Sequence, residues 1–521
     1  MKPLPIDPLL PAVVAALEKD GRVVLEAPPG AGKTTRVPGA LAKAWPVGEI
    51  IVLEPRRLAA RMAASRVAEE LGEKPGETVG YQVRFEEVAG KNTRIRFVTE
   101  AILTRRLVRD PKLNGVIAVV LDEFHERHLH GDVALAWLKR LRETTRPDLK
   151  VCVMSATLDT AKVSAYLECE TVRSEGKQYE VTIEHLPIAE DRPVASLVAS
   201  ALRSLIVKNL EGDVLVFLPG AREIRETTTA IEKIAQEQNL LIFPLHGDLP
   251  PADQDRAIRP ADRRKVILST NVAESSVTID GVVAVIDSGL ARAAAHDPWS
   301  GFSKIELVKI AKASATQRAG RAGRTRPGVC LRLYTKGDLD RRPDHDTPEI
   351  ARTDLTQLAL DLASANMTDL AWLDAPPEIA WSVANALLER LGAIENGNVT
   401  AIGRDLLRFP THPRLARLIV EAEKRNVARE GCVLAAILME RDLRIEARAK
   451  FGDRGRADRP TEKSDLLALL DLFEEARSSH FSASSLRNAN LDGGAVHAVE
   501  RARKQLEQRT RGSDERGTDD D

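Results

Sequence analysis

Little in this chain of 521 residues points to a metal scaffold, a disulfide framework or a membrane. It has four cysteines, Cys152, Cys169, Cys330 and Cys432, widely spaced and without a CxxC pair. That spacing predicts reduced thiols and argues against a disulfide scaffold or a cysteine zinc site. Aromatic residues are only 4% of the chain, so the core must be built largely from Ala, Leu, Val and Ile. No apolar run approaches the ~18 residues of a membrane span, and the start, MKPLPIDPLLPAVVAALEKDG, lacks a long apolar segment. These absences predict a soluble, cytoplasmic protein with no membrane partner. Neither sign of charge dominates, with 76 Lys and Arg against 77 Asp and Glu. Bulk charge therefore does not mark a polyanion binder, but a local basic path is compatible with the balance.

What is present is a repeated alternation. At roughly 150 residues per domain the length allows about three or four domains. RVVLEA (22–27), IIVLEP (50–55), IRFVT (95–99), VIAVVL (116–121) and KVCVMS (150–155) read as strands separated by helical stretches. Continuous apolar, β-branched runs of this kind predict a parallel sheet covered on both faces. The pattern restarts near residue 195 with DVLVFLP (213–219), LIFPLHG (241–247), KVILST (265–270) and GVVAVID (281–287). EHLPIAEDRP (184–193) reads as the linker between the two sheets. After about residue 345 helical periodicity takes over, and the charged end RTRGSDERGTDDD predicts disorder.

Two segments carry chemistry. EAPPGAGKTT (26–35) lies between the first strand and its helix and nearly matches GxxxxGK[ST], with Ala27 where the first glycine stands. Small residues let backbone N–H groups approach phosphate oxygens, and the following helix adds its positive end. Ala27, Pro28, Pro29, Gly30, Ala31, Gly32, Lys33, Thr34 and Thr35 are thus the candidate phosphate loop. Lys33 can reach the β- and γ-phosphates and Thr34 can ligate Mg²⁺. The second segment is VIAVVLDEFHERHLHGD (116–132), a buried-strand pattern that ends in two acids. A strand beside the phosphate-loop strand that ends in an acid facing Mg²⁺ is the arrangement of P-loop NTPases. Thr34, Asp122 and Glu123 then form the metal side of the site, with Glu123 placed to polarise water. The plain alternative for a lone acid pair is a charged strand end; together with a phosphate loop it predicts nucleoside triphosphate hydrolysis. His128 and His130 show no ligand spacing and read as surface or core residues.

DEFH (122–125) also resembles the DExH signature of superfamily 2 helicases. Further blocks follow in the order of that superfamily: PRRLAA (55–60), VTEAILTRRL (98–107), SAT (155–157), LVFLPGAREI (215–224), STNVAESSVTIDG (269–281) and QRAGRAGR (317–324). The NVAES and QRAGRAGR forms resemble the DEAH/RHA group, and DEFHER its HrpB-type bacterial branch. ALLERLGAIENGNVTAIGRDLLRFPTHPRLARLIVEAEK (386–424) is similar to the winged-helix and ratchet regions of that group.

The resemblance implies an α/β fold of two tandem RecA-like P-loop domains, 1–180 and 195–345. A winged-helix domain (346–408), a helical ratchet-like domain (409–505) and a disordered tail (506–521) would follow. It implies ATP and Mg²⁺ as cofactors. Glu123, Gln317, Arg321 and Arg324 would be catalytic, Gln317 placing the lytic water and the arginines acting as fingers from the second domain. Arg66 would pack on the base and Asp280 contact the ribose. Arg56, Arg57, Thr99 and Thr270 would contact a single-stranded nucleic acid, RNA more than DNA. His125, Ser155 and Thr157 would couple the two sites. Ile258 stands where relatives place a base-stacking aromatic, which implies loose base selectivity. The segment 288–316 contains a hairpin pattern that in this group projects between domains. Relatives continue further, so an auxiliary C-terminal region is expected to be missing or shortened. The function implied is an ATP-dependent RNA helicase or translocase, usually 3′ to 5′ in this group. The alternatives are a truncated, non-unwinding ATP-gated RNA-binding assembly factor and a DNA translocase.

Overall fold

A computed structural model of the chain describes residues 3–84, 86–156, 160–174, 179–208, 211–275, 279–296, 303–324, 326–440, 442–444 and 464–510. The chain divides into two compact units, Met1–Asp354 with Asp369–Pro377, and Leu355–Thr368 with Glu378–Asp521.

The first unit holds two sheets. The first contains β1 (Arg22–Glu26), β2 (Glu49–Glu54), β3 (Val79–Val83), β4 (Glu86–Val88), β5 (Ile95–Thr99), β6 (Val116–Leu121), β7 (Lys150–Ser155) and β8 (Thr171–Arg173). Among the described residues their order is β4-β3-β5-β2-β6-β7-β1-β8, parallel except for the β3–β4 pair. Helices α1 (Leu10–Lys19), α2 (Lys33–Ala44), α3 (Arg57–Leu71), α4 (Glu100–Arg109), α5 (Leu129–Thr144) and α6 (Thr160–Leu167) connect the strands. One face of the sheet, with Val23, Leu25, Ile50, Val52, Phe97 and Val120, packs against α1, α2 and α3. Such two-sided cover is why these strands read as continuous apolar runs. One expectation needs correction: β7 stands between β1 and β6, so the acidic strand is not the direct neighbour of the phosphate-loop strand. The acids instead reach the loop across two strand spacings of about 4.8 Å.

The second sheet contains β9 (Val181–His185), β10 (Asp213–Phe217), β11 (Leu241–Leu245), β12 (Lys265–Ser269), β13 (Val282–Asp287) and β16 (Gly328–Arg332), in the order β11-β12-β10-β13-β16-β9. Helices α7 (Val194–Val207), α8 (Ala221–Glu237), α9 (Pro251–Ile258) and α10 (Lys312–Ala319) accompany it. β9 pairs with β16, so this sheet draws in a strand from before residue 195, ending inside the stretch expected to be a linker. Between the last two core strands β14 (Leu290–His296) and β15 (Ser303–Lys309) form an antiparallel hairpin, where the sequence predicted one.

Arg318 on α10 anchors the second lobe. It is 1% exposed, yet it donates to Glu274 (2.8 Å) and Asp287 (2.9 Å) and lies 4.9 Å from the Phe217 ring centroid. Asp287 also accepts from Tyr334 Oη at 2.8 Å. Truncating Arg318 leaves two buried carboxylates without their cation. Arg318→Ala is therefore expected to destabilise this lobe by about 3–5 kcal/mol, the usual cost of breaking a buried pair, read by denaturant unfolding.

The second unit is mainly helical. Helix Glu378–Arg390 leads into a short antiparallel hairpin, β17 (Ile394–Glu395) and β18 (Asn398–Val399), and then helix Ala401–Leu406. Thr400 caps that last helix by accepting from Gly403 N at 3.0 Å. Helices Pro413–Lys424, Ala428–Met439, Asp465–Ser478, Ala483–Asn488 and Gly493–Glu507 complete it. The last helix runs past residue 506, with Leu506 buried, so the start of the expected tail is helical. Residues 445–463 of the expected ratchet region and 511–521 of the tail lie outside the described residues.

Candidate nucleotide and nucleic-acid site

The C-terminal ends of parallel strands are where open α/β sheets gather ligand-binding loops. The phosphate loop leaves β1 there. Gly30 and Gly32 have φ of +85° and +96°, and a Cβ on Gly32 would come within 2.6 Å of Leu4. Both positions suit glycine. Ala27 is fully buried and its N–H donates to Ser155 O at 2.9 Å. A methyl group in place of the first motif glycine is thus accommodated by packing, away from the loop's open side.

At the end of β6, Asp122 and Glu123 meet the start of α2. Lys33 Nζ lies 2.7 Å from Glu123 Oε1 and 4.0 Å from Asp122 Oδ1, and Thr34 Oγ1 donates to Asp122 Oδ2. Glu123 adopts the left-handed region (φ 49°), uncommon for a residue with a side chain, and its N–H donates to Asp122 Oδ1 at 2.8 Å. Its second oxygen, Oε2, is buried and has no hydrogen-bond partner among the described residues. Burial pushes the Glu123 carboxyl up, but Lys33 outweighs it and holds it below the usual carboxylate range. Burial likewise opposes the Lys33 charge, and Glu123 with Asp122 raises it in net.

The sequence reading missed a third acid. Glu54, last residue of β2, is 1% exposed. Burial first, then the Asp122 and Glu123 charges, hold its carboxyl well above the ordinary range. The fold therefore favours the protonated form of Glu54. Such an acid is ionised in the unfolded chain above its ordinary value and protonated in the fold, so its contribution to stability declines as pH rises. In nucleotide-free protein Glu54→Gln is expected to raise the unfolding temperature at pH 7–8 and leave it nearly unchanged at pH 4, as read by thermal melts across pH.

His125 lies behind Glu123. Its Nδ1 is 3.4 Å from Glu123 Oε2 and accepts from Ala156 N at 3.4 Å. Burial pushes the imidazole down, so it is a neutral ring that accepts a backbone N–H and forms no ion pair. It connects the acid to the end of β7, where Ser155 is buried. Thr157, expected to share this coupling, lies outside the described residues.

The second lobe brings its arginines to the same charges. Arg321 is 3% exposed and donates to the carbonyls of Glu274 and Ser275, the latter at 2.5 Å. Burial, then the Arg324 charge, bears down on Arg321; Arg324 is pushed down to about 10 by burial, against support from Glu123 and Asp280. Guanidinium groups stay protonated in proteins, so these directions describe a dry, cation-rich pocket that an anion would relieve. Gln317, partly buried, stands on α10 beside Arg318.

Between the lobes a cavity of about 530 Å³ is lined by Arg61, Met62, Arg66, Tyr81, Ile258 and Asp280. Arg66, Ile258 and Asp280, distant in sequence, are thereby brought together. Arg57 is exposed at the start of α3, Thr99 ends β5 and Thr270 directly follows β12. Arg56 does not share their situation. Its guanidinium donates to Glu126 Oε2 at 2.8 Å and to Asn271 O, which links the two lobes.

The geometry is that of a two-lobed P-loop core whose second lobe supplies cations. Residues 11–165 match the DEAD/DEAH box helicase family and 198–326 the helicase conserved C-terminal domain. The chain belongs to the DEAH/RHA-type helicases of superfamily 2, with two RecA-like domains and a helical C-terminal region. It is similar to the ATP-dependent RNA helicase HrpB of Escherichia coli (strain K12), 42% identical over 449 residues, covering 84% of this chain and 55% of HrpB. The ATP-dependent RNA helicase HrpA of the same organism is 34% identical, over 90% of this chain and 37% of its own length. The crystal structure of E. coli HrpB superposes with a TM-score of 0.83 and 37% identity, over 98% of this chain and 61% of that one. The chain thus spans about half, or less, of the curated relatives it matches. No helix among the described residues is long and apolar enough to cross a membrane.

Proposed function

We propose that this chain is an ATP-dependent RNA helicase or translocase that hydrolyses ATP between its two RecA-like lobes. The observation that carries this is the meeting of Lys33, Thr34, Asp122 and Glu123 in one buried site, with Arg321 and Arg324 feeling the Glu123 charge from the other lobe.

The donor set suits Mg²⁺. Among the described residues no cluster of three or more His, Cys, Asp or Glu side chains is arranged to hold a metal alone. Mg²⁺ typically takes only one or two protein oxygens and completes its shell with water and substrate phosphates. Thr34 Oγ1 and Asp122 would hold it, and it would neutralise charge on the β- and γ-phosphates.

The chain's own residues do the rest. The phosphate-loop N–H groups from Gly30 to Thr35 and the α2 N-terminus bind the phosphates. Lys33 exchanges Glu123 for phosphate oxygens. Glu123, released, takes a proton from water through its buried Oε2, and Gln317 orients that water. Arg321 and Arg324 meet the charge developing on the γ-phosphoryl group. Arg66 and Ile258 border the base and Asp280 the ribose. Arg57, Thr99 and Thr270, on strand-end loops, contact a single strand, and His125 with Ser155 and Thr157 relays its presence. Residues 346–408 act as a winged helix, supported by the helix–hairpin–helix order there, and 409–505 as a ratchet-like domain.

Steady-state ATP hydrolysis with and without single-stranded RNA and DNA tests this. Stimulation by RNA above that by DNA is the expected result. Hydrolysis indifferent to RNA overturns the RNA coupling, and stimulation by DNA alone makes the chain a DNA translocase.

A further inference from the structure

The two arginines of the second lobe are useful only if the lobe closes in register, and one carboxylate on the first lobe controls that register. Glu126 ends a single 3-10 turn, Phe124–Glu126, flanked by Glu123 and Arg127, both at φ 49°. Its Oε1 accepts from Ser275 Oγ of the second lobe. Its Oε2 accepts from Arg56, whose other nitrogen donates to Asn271 O of the same second-lobe segment. Ser275 in turn gives its carbonyl to Arg321 at 2.5 Å. One residue thus holds the finger with its carbonyl and the first lobe with its hydroxyl.

Behind Glu126 stands His128, read from sequence as a surface or core residue. Its Nε2 is 3.2 Å from Glu126 Oε2 and its Nδ1 is 3.4 Å from Glu100 Oε2. Both ring nitrogens face carboxylate oxygens. Only an imidazolium can donate from both; a neutral ring must turn one lone pair toward an acceptor.

We propose that His128 is a positioning residue for ATP hydrolysis: as an imidazolium clamped between Glu100 and Glu126, it fixes the Glu126 carboxylate that seats Ser275 and, through it, Arg321. This deepens the hydrolytic reading given above and rests on it. His128 touches neither substrate nor reacting atoms and acts through Glu126.

The surrounding charges bear the proposal out. Across Glu126 lies Arg56, and the neutral His125 ring is also nearby. Glu349 accepts from Leu129 N at 2.9 Å. His130 meets Thr104 at 3.2 Å and feels Glu100, Glu349 and Arg105. Burial opposes the His128 charge, but Glu100 and Glu126 outweigh it and raise the ring well above its ordinary value. Burial also opposes the Glu126 charge, and Arg56 with His128 holds that carboxyl far below its ordinary range. The ring is therefore charged at neutral pH and is lost as an imidazolium only on the alkaline side.

The test uses the full chain, the His128→Gln and His128→Arg variants, and RNA-stimulated ATP hydrolysis from pH 6 to 10. In the wild type kcat is expected to fall at alkaline pH while KM for ATP stays within about twofold. His128→Gln is expected to lower kcat about tenfold at pH 7, leave KM unchanged and lose the alkaline limb. His128→Arg, charged throughout, is expected to recover part of kcat with a flat profile. Imidazole NMR of the wild type is expected to show His128 protonated above pH 7, and titrating lower in Glu100→Gln. An alkaline limb that persists in His128→Gln, or a ring that titrates at its ordinary value, overturns the positioning role while an active wild type preserves the hydrolytic reading. A wild type that hydrolyses no ATP overturns that reading and this role together.

Discussion

Replacing Glu123 by Gln is expected to lower the rate of ATP hydrolysis by about 10²–10⁴-fold, the usual contribution of a general base, while ATP binding is kept or tightened. The amide has nearly the same volume, so the 5%-exposed site stays filled. Its oxygen can still accept from Lys33, which donates to Glu123 Oε1 at 2.7 Å. What is lost is the negative charge, and with it the ability of the buried Oε2 to take a proton. In the nucleotide-free site Glu123 occupies the lysine that the phosphates need. Gln competes for that lysine as a dipole instead of an ion, so the phosphates displace it more easily. The expected signature is a collapsed kcat with an equal or lower dissociation constant for ATP, measured by single-turnover hydrolysis and equilibrium binding. Equal losses in binding and turnover would show that Glu123 only shapes the phosphate pocket. Because Lys33 holds the Glu123 carboxyl below its ordinary range in the free site, kcat/KM should not lose this base between pH 6 and 8.

Much of this site was legible because its chemistry is local. The loop EAPPGAGKTT and the acids after VIAVVL each announce themselves within ten residues. Strands covered on both faces are continuous apolar runs, which is why β6 and β7 were read with their observed boundaries. β9 and β16 were not read. β9, VTIEH, alternates apolar and polar side chains with partial exposure, as an edge strand does, and has no apolar run to show. Glu54, Glu126 and His128 were invisible as functional groups for another reason. Their charge states come from partners that the fold brings together from α4, β6 and the second lobe, and no spacing encodes those meetings. Motif matching singled out Arg321 and Arg324 of QRAGRAGR as fingers and gave Arg318 no role. The fold separates them: Arg318 turns into the lobe to satisfy Asp287 and Glu274, and Arg324 feels the Glu123 charge of the first lobe.

Arg324→Ala is expected to reduce ATP turnover by about 10³–10⁵-fold at saturating RNA, the range of arginine fingers in related NTPases. The reasoning begins with the cost of keeping this cation where it is. Burial pushes Arg324 down to about 10, and its compensating charges are Glu123 and Asp280. Glu123 is already paired to Lys33. The site is thus poor in negative charge for the cations it holds, and the transferring phosphoryl group supplies what is missing as its charge spreads over equatorial oxygens. Ala removes that response together with the guanidinium that supplies it. Lys in its place keeps the charge but not the planar fork, and should recover only a small part of the rate. Because the finger and the phosphate loop sit on different lobes, more RNA cannot compensate: it can promote closure, but closure would bring no cation to the γ-phosphoryl oxygen. Turnover of Arg324→Ala should therefore stay low at every RNA concentration, while a variant that only weakens RNA contact, such as Arg57→Ala, should approach the wild-type maximum as RNA is raised.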